Sequence, residues 1–258
     1  MSVIFYFSGT GNSLDAARQA AAVLPACRLE SMAAYLASPY KVEDDVVGIV
    51  CPVYCFDLPP LAQQFAQALQ AAPEYCFGMV TMGGNQGRAL KHLQELLDKQ
   101  NITLSYAAAI IMPDNFFLAS KLKTDAVLTE ADKMLAEVAT HLHRRKLDVS
   151  LCQERRLWRY LGIPLGWWFL RNVLRVGSLS LRPQRCVGCG LCAQLCPVGN
   201  IVMENQRPVF GDKCAYCFGC RRWCPQHAIK IGGLKSKADL SYTNPNIKIQ
   251  ELLRQEVK

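Results

Sequence analysis

Eight of the thirteen cysteines in this chain of 258 residues fall within one stretch of 39 residues. They form two copies of the spacing C-x2-C-x2-C-x3-C-P, in which three thiolates two residues apart can bind one face of an iron-sulfur cube. Each copy therefore predicts the ligands of a 4Fe-4S cluster. The first copy consists of Cys186, Cys189, Cys192 and Cys196, and the second of Cys214, Cys217, Cys220 and Cys224.

The fourth cysteine of each copy begins a helical turn that points away from the other three. About 50 residues around these motifs resemble the bacterial two-cluster ferredoxins, in which this fourth cysteine binds the opposite cluster. The resemblance implies one-electron transfer at low potential. We therefore expect two clusters. Cluster I would be bound by Cys186, Cys189, Cys192 and Cys224, and cluster II by Cys214, Cys217, Cys220 and Cys196.

Structural zinc is the alternative interpretation of the cysteine motifs. A zinc site also uses four cysteines, but it usually pairs two C-x2-C knuckles across a longer loop. A disulfide framework is disfavoured because the chain is long and has no export signal. Analysis of iron and acid-labile sulfide distinguishes a cluster from zinc.

A second candidate site follows the first apolar stretch, in residues 8–13, which we call the phosphate loop. Its hydroxyls, amide side chain and backbone N-H groups at a helix start predict a phosphate site. The loop lacks the Gly-Lys-Ser/Thr of a Walker A motif, and Leu14 breaks the G-x-G-x-x-G pattern. It resembles instead the S/T-x-T-G-N-T/S loop of flavodoxins, which implies FMN as the cofactor; a turn without function is the alternative. The candidate residues are Ser8, Gly9, Thr10, Gly11, Asn12 and Ser13.

Two further loops should meet this one, because ligands of a doubly wound sheet bind outside the carboxyl ends of its strands. Tyr54 or Phe56 can cover a flavin face, and glycines allow backbone N-H groups to approach the ring edge. The third loop lacks the aromatic residue familiar from many flavodoxins. Residues 112–115 either border the site or form an ordinary turn. The candidate residues are Pro52, Val53, Tyr54, Phe56, Thr81, Gly83, Gly84, Gln86 and Gly87.

Apolar strands alternate with amphipathic stretches up to about residue 143, which predicts an α/β domain. The N-terminal half resembles flavodoxins, which implies a doubly wound parallel sheet of five strands in the order 2-1-3-4-5. The complete chain is similar to flavodoxin-ferredoxin fusions of anaerobic bacteria. We expect a flavodoxin-like domain over 1–147, a basic tryptophan-rich connector over 148–181, a small α+β ferredoxin domain over 182–232, and a tail over 233–258.

The positive charge is confined to one segment. Residues 144–185 contain ten Lys/Arg and two Asp/Glu, and the remainder of the chain contains 19 of each sign. Two clusters, with their thiolates, would add about -4. We therefore expect no nucleic-acid partner. Packing between the domains, docking of an acidic partner, or contact with an anionic membrane surface are the three interpretations of the connector, in decreasing order.

The composition predicts a soluble protein. No run approaches the roughly 18 apolar residues of a membrane span, and the first residues do not resemble a signal peptide, so we expect a cytoplasmic protein. Cys51 and Cys55 could be redox-active or small core residues. Asp57 and Asp114 could protonate a substrate or cap turns. The four histidines form no ligand-like group.

Two functions agree with these motifs. The first is an electron carrier that relays electrons between two clusters, FMN and redox protein partners. The second is a reductase in which cluster electrons reach FMN and then a small molecule above Tyr54. Nothing in the sequence resembles a nicotinamide-binding domain.

Overall fold

The computed structural model describes residues 1–114, 121–153, 165–169, 171–173, 175–232 and 242–253, without the side chains of 121–123. Parts of the predicted connector and tail, and Asn115, lie outside these residues. The strands are β1 Ser2–Tyr6, β2 Cys27–Ser31, β3 Lys41–Val42, β4 Val46–Pro52, β5 Gln70–Ala71, β6 Tyr75–Met82, β7 Tyr106–Ile111, β8 Leu179–Leu181, β9 Ile201–Glu204, β10 Arg207–Phe210 and β11 Ile229–Ile231. The helices are α1 Asn12–Ala21, α2 Met32–Ala37, α3 Pro60–Ala68, α4 Ala89–Asp98, α5 Lys121–His143, a 3-10 turn at Ser150–Gln153, α6 Leu191–Gln194, α7 Gly219–Arg222 and α8 Ile249–Leu252.

The main sheet has five parallel strands in the order β2-β1-β4-β6-β7. Counted among these five strands alone, the order is 2-1-3-4-5, and the predicted fold class is confirmed. The central strands are apolar throughout because helices cover both faces of the sheet. In β1, Val3 and Phe5 belong to one core and Ile4 and Tyr6 to the other, as the two-residue period of a strand requires.

The two cores differ in the helices that close them. Helices α2, α3 and α4 pack on one face, where Phe65 and Leu90 are fully buried. Helices α1 and α5 pack on the other face, through Leu14 and Leu135. A short parallel pair of β3 and β5, which the sequence did not predict, lies outside the main sheet. The carboxyl ends of β1, β4, β6 and β7 all point to one edge, where the candidate loops begin.

The ferredoxin-type region consists of two small antiparallel pairs and two short helices. Strand β9 pairs with β10, and β11 pairs with β8. Strand β8 at Leu179–Leu181 thus lies inside this unit, three residues before the boundary expected at residue 182. Strand pairing placed the boundary here, and the short run LSL has too few residues to reveal it in the sequence.

The segments on either side of the ferredoxin-type region pack against the sheet domain. Asp148 forms a bridge to Tyr106, and the turn at Ser150–Gln153 packs on α4, so the first residues of the expected connector extend the sheet domain. Residues 242–253 return to α1, where Ile247 and Leu252 enter the second core. None of the helices in the described ranges is long and apolar enough to cross a membrane.

Candidate functional site

A cavity of about 500 Å³ opens at the carboxyl edge of the sheet. Such a volume suits a small-molecule or cofactor site. Loops from the sheet domain form one side, and residues of the connector and the ferredoxin-type region form the other. The lining residues are Ser8, Gly9, Thr10, Asn12, Ser13, Pro52, Val53, Tyr54, Cys55, Phe56, Thr81, Met82, Gly83, Gly84, Asn85, Met112, Pro113, Asp114, Trp167, Val176, Tyr216 and Phe218.

The structure brings together twelve of the fifteen residues that the sequence assigned to flavin binding. The other three, Gly11, Gln86 and Gly87, do not line the cavity. Gly11 faces the C-terminal segment, the Gln86 amide donates to the Leu151 carbonyl at 3.1 Å, and Gly87 lies against the backbone of Phe56. These three positions support neighbouring loops, a role that their loop membership could not distinguish from ligand contact.

Hydrogen bonds hold the phosphate loop in shape. The Gly11 N-H donates to the Ser8 hydroxyl at 3.1 Å, and the hydroxyls of Ser13 and Thr81 lie 2.8 Å apart. Gly11 adopts φ 101°, a left-handed conformation that glycine tolerates, and α1 begins at the next residue. The loop therefore ends on the amino terminus of a ten-residue helix, where backbone N-H groups and the helix dipole favour an anion.

The charge of the cavity wall agrees with such an anion site only at the helix terminus. Among the described residues that line it, none is Lys or Arg, and Asp114 contributes a carboxylate. A phosphate would therefore be bound by N-H groups and hydroxyls. The residues present fit the phosphate of FMN in donor chemistry, and the apolar remainder of the wall fits a flat ring.

The loop after β4 is fixed by a buried carboxylate. Asp57 accepts from its neighbour, the Leu58 N-H, at 2.8 Å, and lies 2.7 Å from His92 Nδ1. The Arg88 N-H donates to the Phe56 carbonyl at 2.8 Å. Asp57 is buried and does not line the cavity, so its role is to hold the turn that carries Tyr54 and Phe56.

The two alternatives for the nearby thiols are also separated by position. Cys51 is fully buried in the first core, and burial raises its pKa to about 12. Cys55 lines the cavity, and burial raises its pKa to about 11. Neither environment stabilises a thiolate at neutral pH. Cys51 is thus a small core residue.

Two smaller apolar cavities in the ferredoxin-type region are each lined by four cysteines. The fourth cysteine of each group comes from the other motif, so the two chain segments cross between the cavities. These are the groups expected for clusters I and II, and the cluster assignment itself stays a prediction. One cavity has Cys186, Cys189, Cys192 and Cys224, and the other has Cys196, Cys214, Cys217 and Cys220.

The thiols of these groups lie in poorly solvated surroundings. Burial raises the pKa of Cys192 to about 11 and that of Cys217 to about 12. Metal binding must therefore displace the thiol protons. Within the described part of the chain, no three His, Cys, Asp or Glu side chains gather as ligands of a single metal ion.

The second cysteine group lies directly behind the phosphate loop. A β-carbon at Gly9 would overlap the Cys217 carbonyl oxygen, so the two backbones meet only because residue 9 is glycine. The Trp223 indole N-H donates to the Gly9 carbonyl at 3.0 Å. Phe218, which lies between Cys217 and Cys220, forms part of the cavity wall. One loop thus contacts both candidate sites.

Four lining residues were missed by the sequence interpretation. Trp167 and Val176 belong to the connector, and Tyr216 and Phe218 to the second cysteine motif. The Trp167 and Tyr216 ring centroids lie 5.4 Å apart at an interplanar angle of 67°. The tryptophan-rich connector was correctly interpreted as packing between domains at this position. Aromatic residues between cluster ligands were the available signal for the other two.

Tyr54 has a second environment besides the cavity. Within the described residues, its hydroxyl oxygen is buried and has no hydrogen-bond partner. Burial raises the pKa of Tyr54 well above its usual range, and negative charge at Cys217, Cys51 and Cys214 raises it further. A buried phenol without an acceptor is unfavourable. Charged sulfur at Cys217 would supply one, so this residue fits a cluster in the second cysteine group.

A buried arginine also joins the two regions electrostatically. Arg222 of α7 is buried, and this burial lowers its pKa to about 10; Arg221 lowers it further, and Asp114 on the cavity wall opposes both. The positive charge therefore lies within range of a cavity residue although it does not line the cavity. This arrangement partly balances the Asp114 carboxylate.

The comparisons with known proteins agree with this division. The family model described as "4Fe-4S binding domain" matches residues 180–202, which contain the whole first cysteine motif. An uncharacterized ferredoxin of Methanocaldococcus jannaschii is 29% identical over 133 residues, covering 43% of this chain and 85% of the relative. A second uncharacterized ferredoxin of that organism is 36% identical over 59 residues, covering 21% of this chain and 33% of the relative.

A solved structure resembles the remaining part of the chain. It is the two-electron reduced flavodoxin of Megasphaera elsdenii, with 21% identity and a TM-score of 0.36, and the alignment covers 54% of this chain and 99% of the flavodoxin. The strand order of this chain establishes the flavodoxin-like fold by itself. The chain therefore combines a flavodoxin-like sheet with a ferredoxin-type 4Fe-4S domain, as the sequence resemblance implied.

Gly9→Ala should destabilise the protein by about 1–3 kcal/mol, because the added methyl group must displace the Cys217 backbone. Thermal unfolding of anaerobically purified protein measures the change. Gly84→Ala is the matched control, since no described atom lies within 4 Å of its built β-carbon, and we expect a change below about 0.5 kcal/mol. Equal Tm values for the two variants would contradict the close approach.

Proposed function

We propose that this protein transfers electrons within one chain between two 4Fe-4S clusters and FMN, and exchanges them with redox protein partners. One observation carries the proposal: Phe218, between two cysteines of the second group, lines the same cavity as the phosphate loop. FMN can exchange electrons singly or in pairs, whereas each 4Fe-4S cluster exchanges one. A shared wall makes the transfer short.

The chain's own residues hold the two sites in fixed relation. Ser8, Thr10 and Ser13, with the first N-H groups of α1, bind the phosphate, and Tyr54 and Phe56 border the ring. Gly9 and Trp223 fix the ferredoxin-type region against this loop. Cluster II is the nearer cluster because Cys217 contacts Gly9. Cluster I, whose ligand Cys189 is exposed, receives electrons from or passes them to a partner protein.

Intramolecular transfer is tested by rapid mixing under anaerobic conditions. Protein with reduced clusters and oxidised FMN should show flavin reduction with a rate constant that does not depend on protein concentration. A rate that rises in proportion to concentration would mean that electrons pass between molecules, which contradicts the proposal. Protein that binds no FMN, or that contains zinc instead of iron and sulfide, contradicts it earlier.

A reductase is the second candidate, and one observation favours it. Trp167 and Val176 of the connector, together with Tyr216 and Phe218, cover the cavity with largely apolar side chains. Covered apolar pockets of this kind suit small molecules that react away from water. The two candidates differ in the electron acceptor. Reduced carrier should be oxidised by other ferredoxins or flavodoxins, and reduced reductase by a small molecule that binds over the flavin.

Cys196→Ser should remove cluster II although Cys196 belongs to the first motif. Iron and sulfide content should fall from about eight to about four of each per chain, and intramolecular flavin reduction should slow strongly, because the cluster beside the cavity is lost. Cys224→Ser is the matched variant, which should lose cluster I and keep fast transfer to the flavin. Fast transfer in Cys196→Ser with slow transfer in Cys224→Ser would reverse the assignment.

Tyr54→Phe should make the midpoint potential of cluster II more negative. The Tyr54 hydroxyl is a buried donor within range of Cys217, and hydrogen bonds to ligand sulfur stabilise the more negative, reduced cluster. An EPR-monitored redox titration measures this potential. Tyr40→Phe, at a hydroxyl that donates to Glu30 at the sheet edge, is the control and should leave it unchanged. An unaltered potential in Tyr54→Phe would show that the hydroxyl has another partner.

A further inference from the structure

The C-terminal segment, residues 242–253, packs against the phosphate loop on the side away from the cavity. The Asn244 N-H donates to the Thr10 carbonyl at 2.8 Å. A β-carbon at Gly11 would lie 3.0 Å from Cβ of Asn244 and 3.1 Å from Cβ of Ile247. Asn244 is 1% exposed, although it follows the ferredoxin-type region by only a few residues. We call these residues the strap.

The strap also determines the orientation of Asn12, a cavity residue. The Tyr242 hydroxyl donates to Asn12 Oδ1 at 2.6 Å, and the Asn244 amide donates to the same oxygen at 3.3 Å. The Asn12 amide nitrogen donates to the Pro113 carbonyl at 3.1 Å. Both acceptor positions of the amide oxygen and one of its two N-H donors are therefore used within the protein. Only one N-H remains for a ligand.

A buried carboxylate lies next to this network. Asp15 is 5% exposed and lies one helical turn from Asn12, in the first turn of α1. Its Oδ2 accepts from the Asn244 amide at 3.1 Å and from the Asn246 amide at 3.1 Å. Like charges repel strongly in poorly solvated surroundings, so a carboxylate here opposes anion binding unless donors surround it. The strap supplies two such donors.

Further contacts fix the strap to α1 along its length. Arg18 forms an ion pair with Glu251, and the Lys248 N-H donates to the Glu251 carboxylate at 2.6 Å. Ile247 and Leu252 are buried in the same core as α1. The amino-terminal part of α1 is therefore held by a chain segment more than 200 residues away, and the phosphate loop by that segment and the ferredoxin-type region together.

We propose that the strap is a positioning element for the anion site: Asn244 and Asn246 bind the Asp15 carboxylate, and with Tyr242 they hold the phosphate loop in its binding conformation. This inference rests on the proposed FMN site and names residues outside the cavity that determine its affinity. A loop already held in the bound conformation loses less entropy on binding, so the affinity for FMN depends on the strap.

A charge exchange tests the proposal in the full chain with its clusters. Asn244→Asp places a second carboxylate against Asp15 and should weaken FMN binding about tenfold or more. Asp15→Asn in the same chain restores an amide-carboxylate pair with its direction reversed, and the double variant should bind within about threefold of the wild type. Fluorescence titration with FMN measures these affinities. Asn205→Asp, on an exposed turn, is the matched control and should bind as the wild type does.

The outcomes separate this inference from the proposed function. Failure of the wild type to bind FMN overturns the proposed function and the strap with it. Binding by the wild type with equal affinity in Asn244→Asp, or no rescue in the double variant, overturns the strap alone. If Asn244→Asp does not fold, as judged by Tm and iron content, Tyr242→Phe decides. It removes only the hydroxyl that bonds Asn12, and unaltered FMN affinity then overturns the proposal.

Discussion

The close approach of the Gly9 and Cys217 backbones is the contact on which the arrangement of this chain depends. It brings a cysteine of the second group to the loop that begins helix α1, and the Trp223 indole fixes it through the Gly9 carbonyl. Any side chain at residue 9 would separate the two regions. The shared cavity wall formed by Phe218 and Tyr216 then follows from this single position.

Electrostatics impose a second constraint at the same loop. The described cavity wall contains no Lys or Arg, although the chain carries an excess of positive charge in residues 144–185. Anion binding thus depends on the N-H groups of the phosphate loop and the start of α1, which are weaker and more directional than a cation. Their arrangement must therefore be held from outside. Gly9 is held by the ferredoxin-type region, and Thr10 and Asn12 by the C-terminal segment.

The two halves of the molecule are consequently not independent modules joined by a linker. Trp167 contacts Tyr216 over the cavity, Arg222 lies within electrostatic range of Asp114, and the chain returns after the second cysteine motif to enter the core beside α1. Each of these contacts joins segments far apart in sequence. A redox centre placed in either half would be exposed to the charge and packing of the other.

The sequence by itself determined the elements and the chemistry of this protein. Strand periodicity and alternation with helices predicted the five-stranded sheet, because two-sided burial makes the pattern local. The cysteine spacing predicted which thiols could be grouped, because tight turns fix their separation. The loop residues 8–13 were found because ligand-binding loops must follow strands.

Only the tertiary structure decided what surrounds these groups. The contact of Gly9 with Cys217, the place of Phe218 in the cavity wall, and the bonds of Asn244 to Thr10 and Asp15 all join residues that are remote in sequence. The sequence shows which side chains can pair but not which backbones approach, since that depends on how complete elements pack. Asn12 is the clearest case: its type predicted a ligand contact, and the fold uses most of its hydrogen bonds to hold the loop.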